Sequence, residues 1–279
     1  MIEFVRLAFI IMWSSGAIFV ELGLRDADPF TFLFLRLLFA AIILWTAVFF
    51  LKTALPTNIK EWRYILLTGL CVQTGYQIFY YLAIYHEVSP GVLTIILGAQ
   101  PIITTIALKE KSNTVQWFGL LFGMVGLILV VADNIIIASV TLIGILNAIL
   151  SLLCITVGTI LQKKIKIIQP ANMAIQYSSG ALVLFLLLLF FEQSLEWTMM
   201  FSVSLAWMTI VISVGATFLL YYLIEKDHLM KVTSLFYAVP PVTAMLDFLI
   251  FGNMIKLFTI IGMILIVIGL ILINRQTVI

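Results

Sequence analysis

Apolar runs of about twenty residues follow one another along nearly the whole chain, and a helix of that length crosses a hydrocarbon layer roughly 30 Å thick. The runs lie near 4–23, 29–51, 62–85, 90–108, 114–132, 141–162, 170–191, 205–225, 232–252 and 257–274. Charge clusters, prolines and glycines separate them. Membrane strands are excluded by length, since a barrel strand is about ten residues of alternating polarity. The pattern predicts an all-α integral membrane fold of ten helices, whose tight loops leave no room in 279 residues for a soluble domain.

Only 10% of the residues are charged and 63% are hydrophobic, with a mean hydropathy of +1.22. A soluble domain carries about 25% charge, so a soluble enzyme and a disordered chain are both excluded. The net charge of +2 is too small to steer the chain onto a polyanion, and no nucleic-acid partner is expected. Cys71 and Cys154 lie inside apolar runs, where they read as packing residues and not as a disulfide. The first run, from Phe4 to Gly23, lacks a small-x-small cleavage site and reads as a span, not a signal peptide.

Basic residues orient the spans. The termini and even-numbered loops hold Arg6, Lys52, Lys60, Arg63, Lys109, Lys111, Lys163, Lys164, Lys166, Lys226, Lys231 and Arg275, twelve of the fifteen Lys and Arg. The odd-numbered loops hold only Arg25 and Lys256. Both termini are therefore expected in the cytoplasm, with the chain in the inner or plasma membrane.

The two halves, 1–138 and 139–279, repeat one another. Tyr80-Tyr81-Leu82-Ala83-Ile84 matches Tyr221-Tyr222-Leu223-Ile224-Glu225, Pro101 matches Pro241, and Gly119 and Gly126 match Gly262 and Gly269. Five spans per half make the second copy enter the membrane from the opposite side. Inverted repeats around a midplane site are a recurring transporter architecture, so two five-helix repeats around a central cavity are predicted.

Polar residues fall on helical faces. Span 3 carries Gln73, Thr74, Gln77, Tyr80 and Tyr81 within about 120° on a regular helical wheel. Span 6 carries Asn147, Ser151, Cys154, Gly158 and Gln162, and span 8 carries Ser213, Thr217, Tyr221 and Glu225. Span 4 offers Thr94, Gly98, Pro101 and Thr105; span 9 offers Thr233, Tyr237, Pro240 and Asp247. Interhelical hydrogen bonding would select the same small polar residues, but Gln and Tyr are bulkier than packing needs. The candidate cavity-lining, substrate-binding residues are Trp13, Gln77, Tyr80, Gln100, Asn147, Tyr221, Tyr237 and Asp247. Pro101, Pro240 and Pro241, midway along spans 4 and 9, are candidate gating residues, because a mid-span proline frees a backbone carbonyl.

Arg36 and Asp247 are formal charges well inside spans, and each would cost roughly 2.5–3.5 kcal/mol if it faced lipid. Both fall in the same half of the membrane, so Arg36 is a candidate charge partner for the cavity and Asp247 a candidate proton or substrate contact. Either could instead snorkel to the interface. No HExxH, paired-cysteine, phosphate-loop or Ser-His-Asp pattern occurs, and with two histidines neither a metal nor another cofactor is expected.

These residues resemble the drug/metabolite transporter superfamily, specifically its EamA-type members. Trp13-Ser14-Ser15-Gly16 is similar to that family's first-helix motif; Pro29, Arg36 and Ala40-Ala41 are similar to its second. Ser89 through Pro101 and Glu110 look like its fourth-helix motif, and Pro241-Val242 with Gly262 and Gly269 resemble the corresponding second-half region. The resemblance implies ten helices in two inverted halves and movement of a small metabolite, often an amino acid or derivative, commonly outward. Glu21, Asn253 and Asp247 depart from the pattern, in a direction that fits a more cationic substrate. The expected partners are a small-molecule solute and membrane lipid, with protons as a candidate coupling ion and the chain a monomer or homodimer. Alternatives are an importer of a cationic metabolite, a membrane-embedded enzyme acting on lipid-linked substrates, and a scaffold subunit without a cavity.

Overall fold

A computed structural model describes residues 2–88, 90–109, 112–132, 141–166, 169–190, 192–251 and 256–274. The helices are α1 (Ile2–Gly23), α2 (Pro29–Leu51), α3 (Ile59–Gly69), α4 (Tyr76–Tyr85), α5 (Pro90–Leu97), α6 (Gln100–Leu108), α7 (Thr114–Ala132) and α8 (Leu142–Gln162). They continue as α9 (Gln169–Leu188), α10 (Met199–Trp207), α11 (Thr217–Lys226), α12 (Leu229–Ser234), α13 (Val239–Phe251) and α14 (Leu257–Asn274). Among the described residues, eight helical stretches are long and apolar enough to cross a membrane, and Val92–Leu108 is a further, shorter apolar one.

Local chemistry sets the helix ends. Pro29 opens α2, where its missing N–H costs nothing, and the Asp28 carboxylate accepts from the Phe30 and Thr31 amides, both at 3.0 Å. Lys52 closes α2 in the left-handed region at φ 50°, its N–H turned back to the last carbonyls. Asn58 caps α3 and Thr198 caps α10 in the same way as Asp28.

Four expected spans are interrupted. Leu70–Gly75 joins α3 to α4 as a π segment, and Met208–Ala216 joins α10 to α11 as a second. Span 4 is two helices: α5 ends at Leu97, Gly98 and Ala99 turn back onto Thr94 and Ile96, and α6 starts at Gln100. Span 9 passes from α12 through a 3-10 turn, Leu235–Ala238, into α13. Pro101, Pro240 and Pro241 lie in the first turns of α6 and α13, each just after the change in helical hydrogen bonding.

The chain forms two compact units. Unit 1 comprises Met1–Gln77 and Val157–Glu225; unit 2 comprises Ile78–Thr156 and Lys226–Ile279. Each takes helices from both sequence halves.

In unit 1, α2 packs along α9, and α1 packs on α10 and the second π segment. Phe32, Phe201, Leu205, Met208 and Ile212 form a buried cluster there, with the Phe32 and Phe201 rings edge to face at 5.7 Å. Trp207 stacks on Phe19 at 4.6 Å and donates its indole N–H to Ser15 Oγ at 2.9 Å. The α1–α2 loop is tied to the segment before α10. Asp28 N–H donates to the Ser194 carbonyl, Ser194 N–H to the Asp28 carboxylate, Glu196 N–H to the Asp26 carbonyl and the Thr198 hydroxyl to the Asp26 carboxylate. Asp28→Ala should cost about 1 kcal/mol from the lost cap alone, read as a melting temperature lowered by about 2–4 °C. An unchanged melt followed by tryptophan fluorescence would contradict that role.

In unit 2, α7 and α14 run in backbone contact. A Cβ on Gly126 would sit 2.6 Å from the Gly262 carbonyl oxygen, and one on Gly262 2.5 Å from that of Gly126. Gly119 and Gly269 face each other in the same reciprocal way, at 2.8 and 2.7 Å. Gln116 Nε2 donates to the Ile273 carbonyl at 3.1 Å, and Leu120, Leu127, Val130, Ile266 and Ile273 fill the rest of the seam. The Thr104 and Thr233 hydroxyls meet at 3.3 Å, holding α6 against α12.

Candidate functional site

A buried polar array in unit 1 begins at Arg36. Its Nε donates to Ser213 Oγ at 2.7 Å and its Nη1 to Gln77 Oε1 at 3.4 Å. Gln77 Nε2 donates to the Gln73 carbonyl, and Gln73 Nε2 to the Tyr221 hydroxyl, both at 3.3 Å. Tyr221 donates in turn to Gln176 Oε1 at 2.6 Å. Gln176 Nε2 is shared between Gln162 Oε1 at 2.9 Å and Asn172 Oδ1 at 2.7 Å. Beside this chain, the Tyr177 hydroxyl donates to the Ser213 carbonyl at 2.7 Å and lies 3.0 Å from Thr217 Oγ1.

Every side chain in the array is buried. Burial in an apolar surround penalises any member left without a partner, and this is why the donors and acceptors are matched link by link. The amides and hydroxyls can each donate and accept, so they can exchange partners without moving a charge. Arg36 carries the array's one formal charge. A cavity of about 220 Å³ lies elsewhere between α2 and α9, lined by Thr31, Phe34, Leu35, Phe185 and Leu188, and is mainly apolar.

Of the residues expected at the site, Gln77, Tyr221 and Arg36 come together here through Gln73 and Ser213. Gln73 and Gln77 bond to side chains of neighbouring helices. Trp13 also lies in unit 1, half-buried with its ring 5.4 Å from that of Phe9.

Tyr80, Gln100, Asn147, Tyr237, Asp247, Pro101, Pro240 and Pro241 belong to unit 2. Tyr80 is half-buried against Ala83, Val88 and Leu93 and their neighbours. Gln100 is buried at the start of α6. The Asn147 side chain turns back to the Ile143 carbonyl at 2.9 Å. Tyr237 is fully buried with its ring over Gly123, and its hydroxyl has no hydrogen-bond partner among the described residues. Asp247 is on α13, but its side chain lies outside the described set, as do Ser89, Glu110, Lys111, Asn253 and Arg275. Glu21 is exposed and pairs with Arg25 at 3.2 Å, so its charge is spent at the surface.

Asn172, Gln176 and Tyr177, on α9, were missed by the helical-face reading. Gln169, Asn172, Gln176 and Ser179 recur at helical spacing in one of the least hydrophobic spans, and that signal could have found them.

Membrane-length apolar helices around an internally bonded polar array define a multi-pass membrane protein. The EamA-like transporter family matches residues 2–132 and again 142–275. The chain belongs to the EamA-like transporter family, within the drug/metabolite transporter superfamily. An uncharacterized transporter of Archaeoglobus fulgidus is 24% identical over 267 residues, covering 93% of this chain and 92% of that protein. One crystal structure superposes with a TM-score of 0.84 at 18% identity, over 98% of this chain and 96% of the other. That likeness is one of fold.

Proposed function

We propose that this protein is a secondary transporter that moves a small organic metabolite, an amino acid or a related polar or amphipathic solute, out across the cytoplasmic membrane by alternating access. In this reading ten spans form two inverted five-helix repeats, 1–138 and 139–279, around a central cavity, with both termini cytoplasmic. The observation that carries it is the set of interrupted spans. Spans 3 and 8 each contain a π segment, and spans 4 and 9 each break near the middle. The breaks precede Pro101 in one half and Pro240-Pro241 in the other.

Broken spans expose backbone carbonyls and N–H groups that lipid would penalise, so they belong beside protein or water. In transporters such discontinuous helices form the substrate site and its gates. The reciprocal contacts of Gly119 and Gly126 with Gly269 and Gly262 support the repeat, because equivalent residues of the two halves face each other across one seam. The two family matches, one in each half, support it as well. The twelve basic residues of the termini and even-numbered loops support the orientation.

The direct test is flux in proteoliposomes against a labelled panel of amino acids and small metabolites, with and without a pH gradient. Saturable movement of at least one solute, absent from protein-free vesicles, is expected. No flux above the protein-free level for any solute would remove the transporter reading.

A further inference from the structure

We propose that Arg36 is the docking point for the anionic group of the transported solute, so that the substrate carries a carboxylate. This inference rests on the transporter reading and adds the substrate's chemistry to it. Arg36 lies seven residues into α2, about 10 Å from its start at 1.5 Å per residue. At that depth the guanidinium is buried, with 9% of the residue exposed. Both of its hydrogen-bond acceptors, Ser213 Oγ and Gln77 Oε1, are uncharged. Among the described residues no carboxylate pairs with it.

A guanidinium has five N–H donors in a planar fork suited to a carboxylate. Two are used here, one of them long at 3.4 Å. A cation at membrane depth whose bonded acceptors are uncharged is costly, and a substrate anion would relieve that cost while bound. Ser213 and Gln77 supply a neutral hydroxyl and an amide to the cation, and Tyr177, bonded to the Ser213 carbonyl and beside Thr217, extends this uncharged polar surround.

The test measures binding without transport. Melting temperatures of the purified protein in neutral detergent are recorded against the twenty L-amino acids, acetate, lactate and succinate, and against the amide of every stabilising acid. A carboxylate should stabilise the wild type by several degrees and its amide should not. Arg36→Gln should abolish the response. Arg36→Lys, which keeps the charge and loses the fork, should weaken affinity by about tenfold or more. Arg25→Gln, at the exposed pair, should respond like the wild type.

Three results would overturn the proposal: no carboxylate stabilises the wild type, acid and amide stabilise equally, or Arg36→Gln responds unchanged. Stabilisation by phosphatidylglycerol in place of every carboxylate would also overturn it, assigning the site to lipid. If Arg36→Gln does not fold, the Arg36→Lys affinity and the acid-against-amide comparison decide. Flux separates the two readings. Carboxylate binding without movement of any solute sinks transport alone, whereas saturable flux of a solute with no anionic group, unchanged in Arg36→Lys, sinks the anion site alone.

Discussion

Gly126→Leu is expected to prevent accumulation of folded protein, and Gly126→Ala to destabilise it by about 3 kcal/mol or more, at or beyond the top of the usual overpacking range. The reason is what a side chain would meet. A Cβ there lies 2.6 Å from the Gly262 carbonyl oxygen and 2.9 Å from the Ile266 amide nitrogen. Both are backbone atoms of α14 and cannot swing aside. The helices would have to separate, and Gly119 facing Gly269 would lose its contact with them. Val125, one residue away and exposed to the apolar surround, supplies the control: Val125→Leu should change stability by no more than about 0.5 kcal/mol. Size-exclusion profiles and thermal melts in detergent read both variants. A Gly126→Ala protein that melts with the wild type would mean that the two backbones do not touch.

Gln176→Leu should be the most damaging single change in the polar array. Gln176 accepts from Tyr221 and donates to both Gln162 and Asn172. Removing it leaves three buried polar groups to find new partners, at about 1–3 kcal/mol for each that fails. A single interhelical hydrogen bond in a membrane protein averages only about 0.6 kcal/mol. Tyr221→Phe, which deletes one hydroxyl and leaves Gln176 its other partners, should therefore cost far less than Gln176→Leu. Unfolding titrations of the two variants give the comparison. Equal losses would mean independent pairs in place of a connected array.

Helix positions were the most legible part of the chain, and the reason is hydropathy over twenty-residue windows. The expected bounds of spans 2, 5 and 10 coincide with α2, α7 and α14. Span 8 begins earlier than expected, at Met199, because Thr198 caps it, and one threonine barely lowers the hydropathy by which spans are delimited. The interruptions were not legible as such. A helical wheel assumes uniform rotation, and Leu70–Gly75 breaks that assumption in the middle of the span 3 stripe. Gln73, Thr74 and Gln77 belong to one compact unit, Tyr80 and Tyr81 to the other, the division falling within α4.

Within the candidate site, the bulky polar residues Gln77 and Tyr221 and the charge on Arg36 were readable because such side chains are rare at membrane depth. Which partner each would choose was not readable. Arg36 and Asp247 have opposite formal charge and similar depth; Arg36 bonds Ser213 and Gln77, and the Asp247 side chain lies outside the described residues. Partner choice depends on helix packing, which composition does not encode. Asn172 and Gln176 are uncharged amides of the kind that ordinary interhelical bonding also selects, so residue type alone does not set them apart.

The four hydrogen bonds between Asp26-Asp28 and Ser194-Thr198 join two hairpins, α1–α2 and α9–α10, at one rim of unit 1. Because two of those links are main chain to main chain, side-chain substitution can loosen the strap but not delete it. That rim is tied through the backbone, while among the described residues the opposite ends of the same rods carry no comparable tie. Asn172 and Gln162 lie toward the untied end, where unit 1 is held by side chains alone.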